Sequence, residues 1–213
     1  MTWVRANLDR LAELTGQLVW LSVLPVLLGF LLALPLGWWA SRHRRWRGIL
    51  VTGGGIIYTL PSLALLVILP GLIGTSYLNP LNLVIVLTAY ALGLLVRTVA
   101  DAFEQVSAEV LESASASGYS RWQRALGVEL PLAGPVMLAG IRVVSVATVS
   151  IVTVGALIGV SSLGSLFTEG FQRYFTTEIL VGIVLVVALA LVLDGCWVLL
   201  GRLLLPWSRG RRA

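Results

Sequence analysis

Residues 109–131 read EVLESASASGYSRWQRALGVELP and form the longest polar interruption in a chain that is otherwise almost continuously apolar. Ser107 stands where it can N-cap a short helix, with Glu109 in the first turn near the positive helix end. Gly118 falls where a left-handed cap stops that helix. Ser120 followed by Gln123 is a capping box that starts a second one. Trp122, Ala125 and Leu126 then share a face at i, i+3, i+4, and Pro131 is expected to end it. The pattern predicts helix, bend and helix outside the membrane, with an apolar knob at Trp122. Such a segment either docks on a partner or packs back on its own spans.

The apolar remainder sets the class. Hydrophobic residues make up 58% of the 213, charged residues 12%, and the mean hydropathy is +0.94, values of an integral membrane protein. A single unit over 1–213 is expected. The net charge of +5 rests on 15 arginines and no lysine. These arginines lie mostly in a few short loops, so they report orientation and not nucleic-acid binding. Without lysine there is no Walker-type phosphate loop and no Schiff base. Cys196 is the lone cysteine; its apolar surroundings suggest a small core residue and exclude an internal disulfide. No metal-ligand or catalytic spacing is present, and no cofactor is expected.

Five spans are predicted, at about 17–40, 49–74, 80–100, 133–160 and 179–204, each above the roughly 20 residues needed to cross the hydrocarbon. The polar loop fills 101–132. The second span is read as broken by Gly53-Gly54-Gly55, Pro61 and Pro70, since neither half around Pro61 is long enough to cross alone. Trp3, Val4, Leu8, Leu11 and Leu14 suggest an interfacial amphipathic helix before the first span. The fold class is therefore all-α and membrane-spanning, with an extramembrane helix-turn-helix and an N-terminal interfacial helix.

Arginine placement gives a topology. Arg42, Arg44, Arg45 and Arg47 follow span one, Arg121 and Arg124 follow span three, and Arg209, Arg211 and Arg212 follow span five. An odd number of spans puts these groups on one side, the cytoplasm, with the N-terminus outside. His43, the only histidine, sits among them and reads as a solvated loop residue.

The frame of the polar loop resembles the coupling motif of bacterial ABC-importer permeases: Glu-Ala-Ala, three residues, Gly, nine residues, Ile, one residue, Leu-Pro. Here Glu112-Ser113-Ala114, Gly118, Val128 and Leu130-Pro131 occupy those places, departing by Ser113 for Ala and Val128 for Ile. Tyr58-Thr59-Leu60-Pro61-Ser62-Leu63-Ala64-Leu65, the stretch Glu129–Arg142, and Gly155–Phe167 with Gly159 and Leu163-Gly164 are similar to permeases that import glycine betaine, choline and carnitine. Permeases for methionine and other amino acids share much of this. The resemblance implies a bacterial cytoplasmic-membrane subunit that works with ATPase subunits on the cytoplasmic face, a second permease subunit and an extracytoplasmic solute-binding protein. It implies that Glu112, Ala114 and Gly118 belong to the helix that couples to the ATPase. The residues themselves add Trp122 and Leu126 as the apolar contact and Leu130 and Pro131 as the exit into the fourth span. With no lysine in the chain, it is expected to hydrolyse no ATP itself.

Four further features follow from the residues. Gly and Pro free backbone carbonyls inside a span, which is tolerated where the break faces protein or a water-filled cavity. Tyr58, Thr59, Pro61 and Ser62 are therefore candidate pathway residues, though a kink used only for packing reads equally well. Tyr58, Tyr90 and Phe103 could face a quaternary ammonium, but an interfacial belt or span packing explains them more simply. Asp194 interrupts the fifth span, and an unpaired charge at that depth is costly, so it is predicted to pair with Arg142, or failing that with Arg97. Gly155 and Gly159 form a small-xxx-small pair that could bring spans close. A small polytopic membrane enzyme would need clustered acids or histidine near one interface, whereas Asp101, Glu104, Glu109, Glu112 and Glu129 lie on amphipathic helices. A channel would not need a structured docking loop.

Overall fold

The computed structural model describes residues 2–77 and 79–207, and every regular element among them is helical; Arg209, Arg211 and Arg212 lie outside the described residues. Four helices are long and apolar enough to cross a membrane, and a bent pair supplies a fifth crossing if counted as one span.

The short α1 (Thr2–Ala6) leads through Asn7 into α2 (Leu8–Arg42). At about 1.5 Å per residue α2 is roughly 50 Å long, well beyond the hydrocarbon thickness. The expected interfacial helix does not exist as a separate surface element. Its Leu8–Leu14 part is the start of α2, where Leu11 and Leu14 are buried in an apolar cluster, and Trp3 and Val4 pack against that cluster. The amphipathic signal was real, but Leu11 and Leu14 of the apolar face meet protein, while Leu8 stays exposed.

The chain reverses at the single residue His43 and enters α3 (Arg44–Thr59). Gly53-Gly54-Gly55 does not break this helix. Gly54 instead lets α3 touch the next span: a Cβ there would meet the Gly93 carbonyl oxygen at 2.6 Å. The break comes at Leu60-Pro61, where α3 and α4 (Ser62–Ile73) bend by 99°. Pro70 lies inside α4 without ending it, and Gly74, at φ +72°, does.

The Asn79 side chain accepts the Leu81 N–H and caps α5 (Pro80–Glu104), with Pro80 opening its first turn. This span is the centre of the molecule and packs against α2, α3 and α8. Beyond α5 come α6 (Ala108–Ala116) and α7 (Arg121–Arg124), then a π-helical turn (Ala125–Glu129) that runs into α8 (Leu130–Val154). A 3-10 turn over Gly155–Ile158 ends the span, and Gly159, at φ +86°, stops it. Gly155 and Gly159 are thus not a pair on one helix face; Gly159 is a terminator. Gly164 then passes so close to the Thr153 carbonyl that any Cβ would fall 2.0 Å from its oxygen. Finally, α9 (Ser165–Gln172) precedes the last span, α10 (Thr176–Leu204).

Two apolar clusters line the bundle. Leu18, Leu83, Leu87, Val152 and Leu166 belong to one, and Val26, Leu95, Val99, Met137 and Val144 to the other. Charge sits mainly at the ends. At one end Arg10 reaches Glu169 and, at 3.4 Å, Glu178; at the other Arg47 pairs with Asp101 and Glu104, and Arg42 with Glu129.

Candidate functional site

The polar loop keeps the local structure its residues dictate. In α6 no residue is buried, so this helix turns nothing into the chain's own core. Ser107 occupies the N-cap position, but its side chain makes no capping bond. At the other end Gly118 adopts φ +84°. The Tyr119 N–H reaches the Ala114 carbonyl at 3.2 Å and the Gly118 N–H reaches that of Ser115 at 3.0 Å, the two bonds of a Schellman turn. Ser120 and Gln123 then form a reciprocal capping box, with the Ser120 N–H donating to Gln123 Oε1 at 2.8 Å. The bend between the two helices is therefore specified from both sides.

Pro131 does not end the second helix as expected. It lies in the first turn of α8, and the backbone continues through the π-helical turn before it. The physical reason is local. Proline offers no N–H to the preceding turn and its ring crowds the carbonyl four residues back; a π turn widens the helix there without breaking it. The second helix of the polar loop and the fourth span are one continuous, locally widened rod. Leu130 opens α8 half-buried, and the Pro131 carbonyl accepts the Trp207 indole N–H at 3.1 Å, which ties in the end of α10.

Trp122 and Leu126 are exposed at 69% and 64%, while Ala125 is buried. Trp122 is more than a free knob, since its ring stacks on Trp38 of α2 at 5.5 Å. Together with Leu34, Phe103 and Leu130 these rings line an apolar groove of about 310 Å³. Glu112 is exposed and Ala114 half-buried on α6.

Beneath the loop lies a cluster the sequence did not signal. Glu129, only 3% exposed, receives the Arg42 guanidinium, Arg124 Nε at 3.1 Å and Trp38 Nε1 at 3.3 Å. Arg42 also lies 4.5 Å over the Trp38 ring, and Arg124 donates to the Ser115 hydroxyl of α6 at 2.8 Å. The partners are up to 91 residues away along the chain, so no local pattern announces them.

The bend in the second crossing brings Tyr58 edge-on to Tyr90, with centroids 5.8 Å apart. The Tyr90 hydroxyl donates to the Leu60 carbonyl at 2.6 Å and satisfies an acceptor freed by the break. Tyr90 and Phe103 are buried, whereas Tyr58 is 45% exposed. The Thr59 hydroxyl bonds back to Ile56 within its own helix. Pro61 is exposed and Ser62 half-buried.

Arg142 and Asp194 meet as a two-point pair, Nε and Nη2 each 2.7 Å from a carboxylate oxygen. Arg97, the second choice, lies instead 3.8 Å from Asp101. The pair is not buried inside the chain, because its side chains remain 41% and 29% exposed on the α8–α10 surface. Cys196 is likewise exposed and not a core residue. Among the described residues, no group of three or more His, Cys, Asp or Glu could hold a metal ion.

Comparison with known proteins is consistent across most of the chain. Residues 25–207 match the profile of the family described as binding-protein-dependent transport system inner membrane component. The chain is 30% identical over 194 residues to the glycine betaine/carnitine/choline transport system permease protein OpuCB of Bacillus subtilis, covering 91% of this chain and 88% of that one. It is 33% identical over 197 residues to the osmoprotectant import permease protein OsmW of Salmonella typhimurium, covering 91% and 90%. A chain of the inward-facing MetNI methionine ABC transporter superposes with a TM-score of 0.80 at 20% identity, over 93% of this chain and 98% of that chain, a likeness of fold.

Proposed function

This chain belongs to the family of binding-protein-dependent transport system inner membrane components, and from that premise we propose that it forms half of an ATP-driven import pathway for small quaternary-amine osmoprotectants such as glycine betaine, carnitine or choline. The observation that carries the reading is α6: an extramembrane helix that buries nothing of its own, held at a set angle by the Gly118 turn and the Ser120–Gln123 box. A helix with no buried residue, held by its own chain near its C-terminal end where Arg124 donates to Ser115, leaves most of its surface for an external partner. An ATPase subunit on the cytoplasmic face takes that place, contacted by Glu112, Ala114, Gly118, Trp122 and Leu126, with Leu130 and Pro131 carrying the motion into α8. The solute class rests on the relatives named above.

The remaining assignments are of the same kind. The N-terminus lies outside and the C-terminus inside, supported by Arg42, Arg44, Arg45 and Arg47 at the end of the first span and by Arg121 and Arg124 in the loop after the third. A second permease subunit covers the face that carries Arg142 and Asp194, because an ion pair this exposed at mid-span is costly against hydrocarbon. A solute-binding protein delivers from the external side. Tyr58, Thr59, Pro61 and Ser62 border the pathway at the bend, where backbone irregularity is tolerated beside a cavity.

The test is reconstitution with ATPase, second permease and solute-binding subunits from the same organism, followed by uptake of labelled glycine betaine, choline, carnitine and methionine. The expected outcome is ATP-dependent uptake of a quaternary amine, lost in Gly118→Val while the chain still inserts. Preferential methionine uptake would overturn the solute class. Flux without ATP would overturn the importer reading, and wild-type uptake by Gly118→Val would remove the loop from the mechanism.

A further inference from the structure

We infer that Glu129 is a positioning residue that links the docking helix to the first span as well as to the fourth. This rests on the importer reading, but it concerns residues outside the coupling motif's own fixed positions. Helix α6 can act on α8 along the backbone, through α7 and the π-helical turn. Nothing covalent joins it to α2 nearby, since 65 residues separate Arg42 from Ser107 at the start of the loop. The side chains make that join. Ser115 on α6 accepts from Arg124 at 2.8 Å, Arg124 Nε donates to Glu129 at 3.1 Å, and Glu129 accepts from Arg42 and from Trp38 on α2. The Trp38–Trp122 stack at 5.5 Å closes a second route between the same elements.

The chemistry suits a rigid joint. The Glu129 carboxylate is almost fully buried and faces two guanidiniums and one indole N–H, so its two oxygens are engaged from three directions. A buried carboxylate with cationic partners on two elements holds both in fixed register, because withdrawing either partner leaves charge unpaired. Its place in the π-helical turn matters too. That turn is where the rod is widened, and the ion pairs brace it on the side facing α2. A push on α6 then moves the first and fourth spans together and is not absorbed in the turn.

The experiment uses the assembled importer in proteoliposomes and measures solute imported per ATP hydrolysed. Glu129→Gln keeps shape and an acceptor but removes the charge. Arg42→Gln removes the partner on the first span from a part-exposed position that folding tolerates better. Each variant is expected to assemble with the ATPase and to lower the transport-to-hydrolysis ratio about five-fold or more, while the double variant falls no further than the worse single one, the non-additivity expected of a shared contact. A merely structural residue would change the amount of assembled complex and leave the ratio intact. An unchanged ratio in Arg42→Gln overturns the inference even if Glu129→Gln fails to fold. Losses that multiply in the double variant also overturn it, as does loss of ATPase assembly in both single variants, which would make the cluster part of the docking surface. Failure of the importer reading looks different, because the unaltered chain would then show no ATP-driven uptake.

Discussion

Helices α5 and α10 are both single apolar rods long enough to cross a bilayer, yet 61% of the apolar stretch of α5 is buried inside the chain and 6% of that of α10. Around α5, Leu83, Leu87, Tyr90, Leu95, Val99 and Phe103 are all enclosed by α2, α3 and α8. Along α10 the buried residues are Glu178, Gly182 and Gly201, while Leu191, Val192, Leu199 and Leu203 are open. Hydropathy reports only that both leave water. What replaces water differs: protein for α5, and lipid or another subunit for α10. In a membrane the apolar face is no guide to the core, because lipid is as apolar as leucine. The guides are small residues at close crossings and charges at depth, and these separate the two helices.

The largest effect tests the crossing. Gly93 on α5 lies against the α3 backbone, where a Cβ would come 2.7 Å from the Gly54 carbonyl oxygen. Backbone cannot swing aside as a side chain does. Gly93→Ala is expected to lower stability by about 1–3 kcal/mol despite the better helix propensity of Ala, read as the midpoint of thermal unfolding in detergent. Tolerance of this change would mean that α3 and α5 slide freely, and the contrast with α10 would weaken. The next effect belongs to α10. Asp194→Asn leaves Arg142 without its carboxylate and should lower the unfolding midpoint more than the double variant Asp194→Asn with Arg142→Gln does. A double variant no more stable than the single one would show that the pair is not an energetic unit.

Smaller is the effect of Tyr90→Phe. It removes the donor to the Leu60 carbonyl at the 99° bend. An unsatisfied carbonyl in apolar surroundings costs about 1–3 kcal/mol before relaxation, and a repositioned water or backbone group recovers part of it. Stability should fall by less than in Gly93→Ala, and the loss should disappear if the bend straightens.

What could be read from the sequence was local. The Schellman turn at Gly118 and the capping box of Ser120 and Gln123 involve bonds over three to five residues, so residue type and spacing suffice. The spans were legible for the same reason, since length and composition are properties of a segment. Asp194 and Arg142 could be matched across 52 residues only because charge at depth is rare. Glu129 carried no such flag: it sits at the end of an amphipathic segment, where a carboxylate is ordinary, and its partners on α2 come from far upstream. The glycines misled in a consistent way. Gly53-Gly54-Gly55 reads as a breaker, yet α3 passes through it and Gly54 serves a contact that exists only in the folded bundle. The prolines divided by position, Pro61 marking the bend and Pro131 being absorbed by a widened turn.

The smallest effect is also the sharpest test of the contrast. Gly195 lies on α10 one residue past Asp194, and nothing stands within 4 Å of where its Cβ would be. Substituting Ala there adds no overlap inside this chain and improves helix propensity. Gly195→Ala in the isolated chain should therefore be neutral or stabilising by up to about 1 kcal/mol. The same atom added at Gly93 destabilises, so chemically identical substitutions on the two helices carry opposite signs. The assembled complex gives the second reading. If another subunit packs closely over this part of α10, Gly195→Ala should weaken association of the two permease subunits while leaving the isolated chain intact, measured by size-exclusion with light scattering. If lipid covers it, both measurements should be unchanged or improved. Destabilisation of the isolated chain by Gly195→Ala would show that α10 packs more tightly on α8 than its open face indicates, and the comparison would fail at that point.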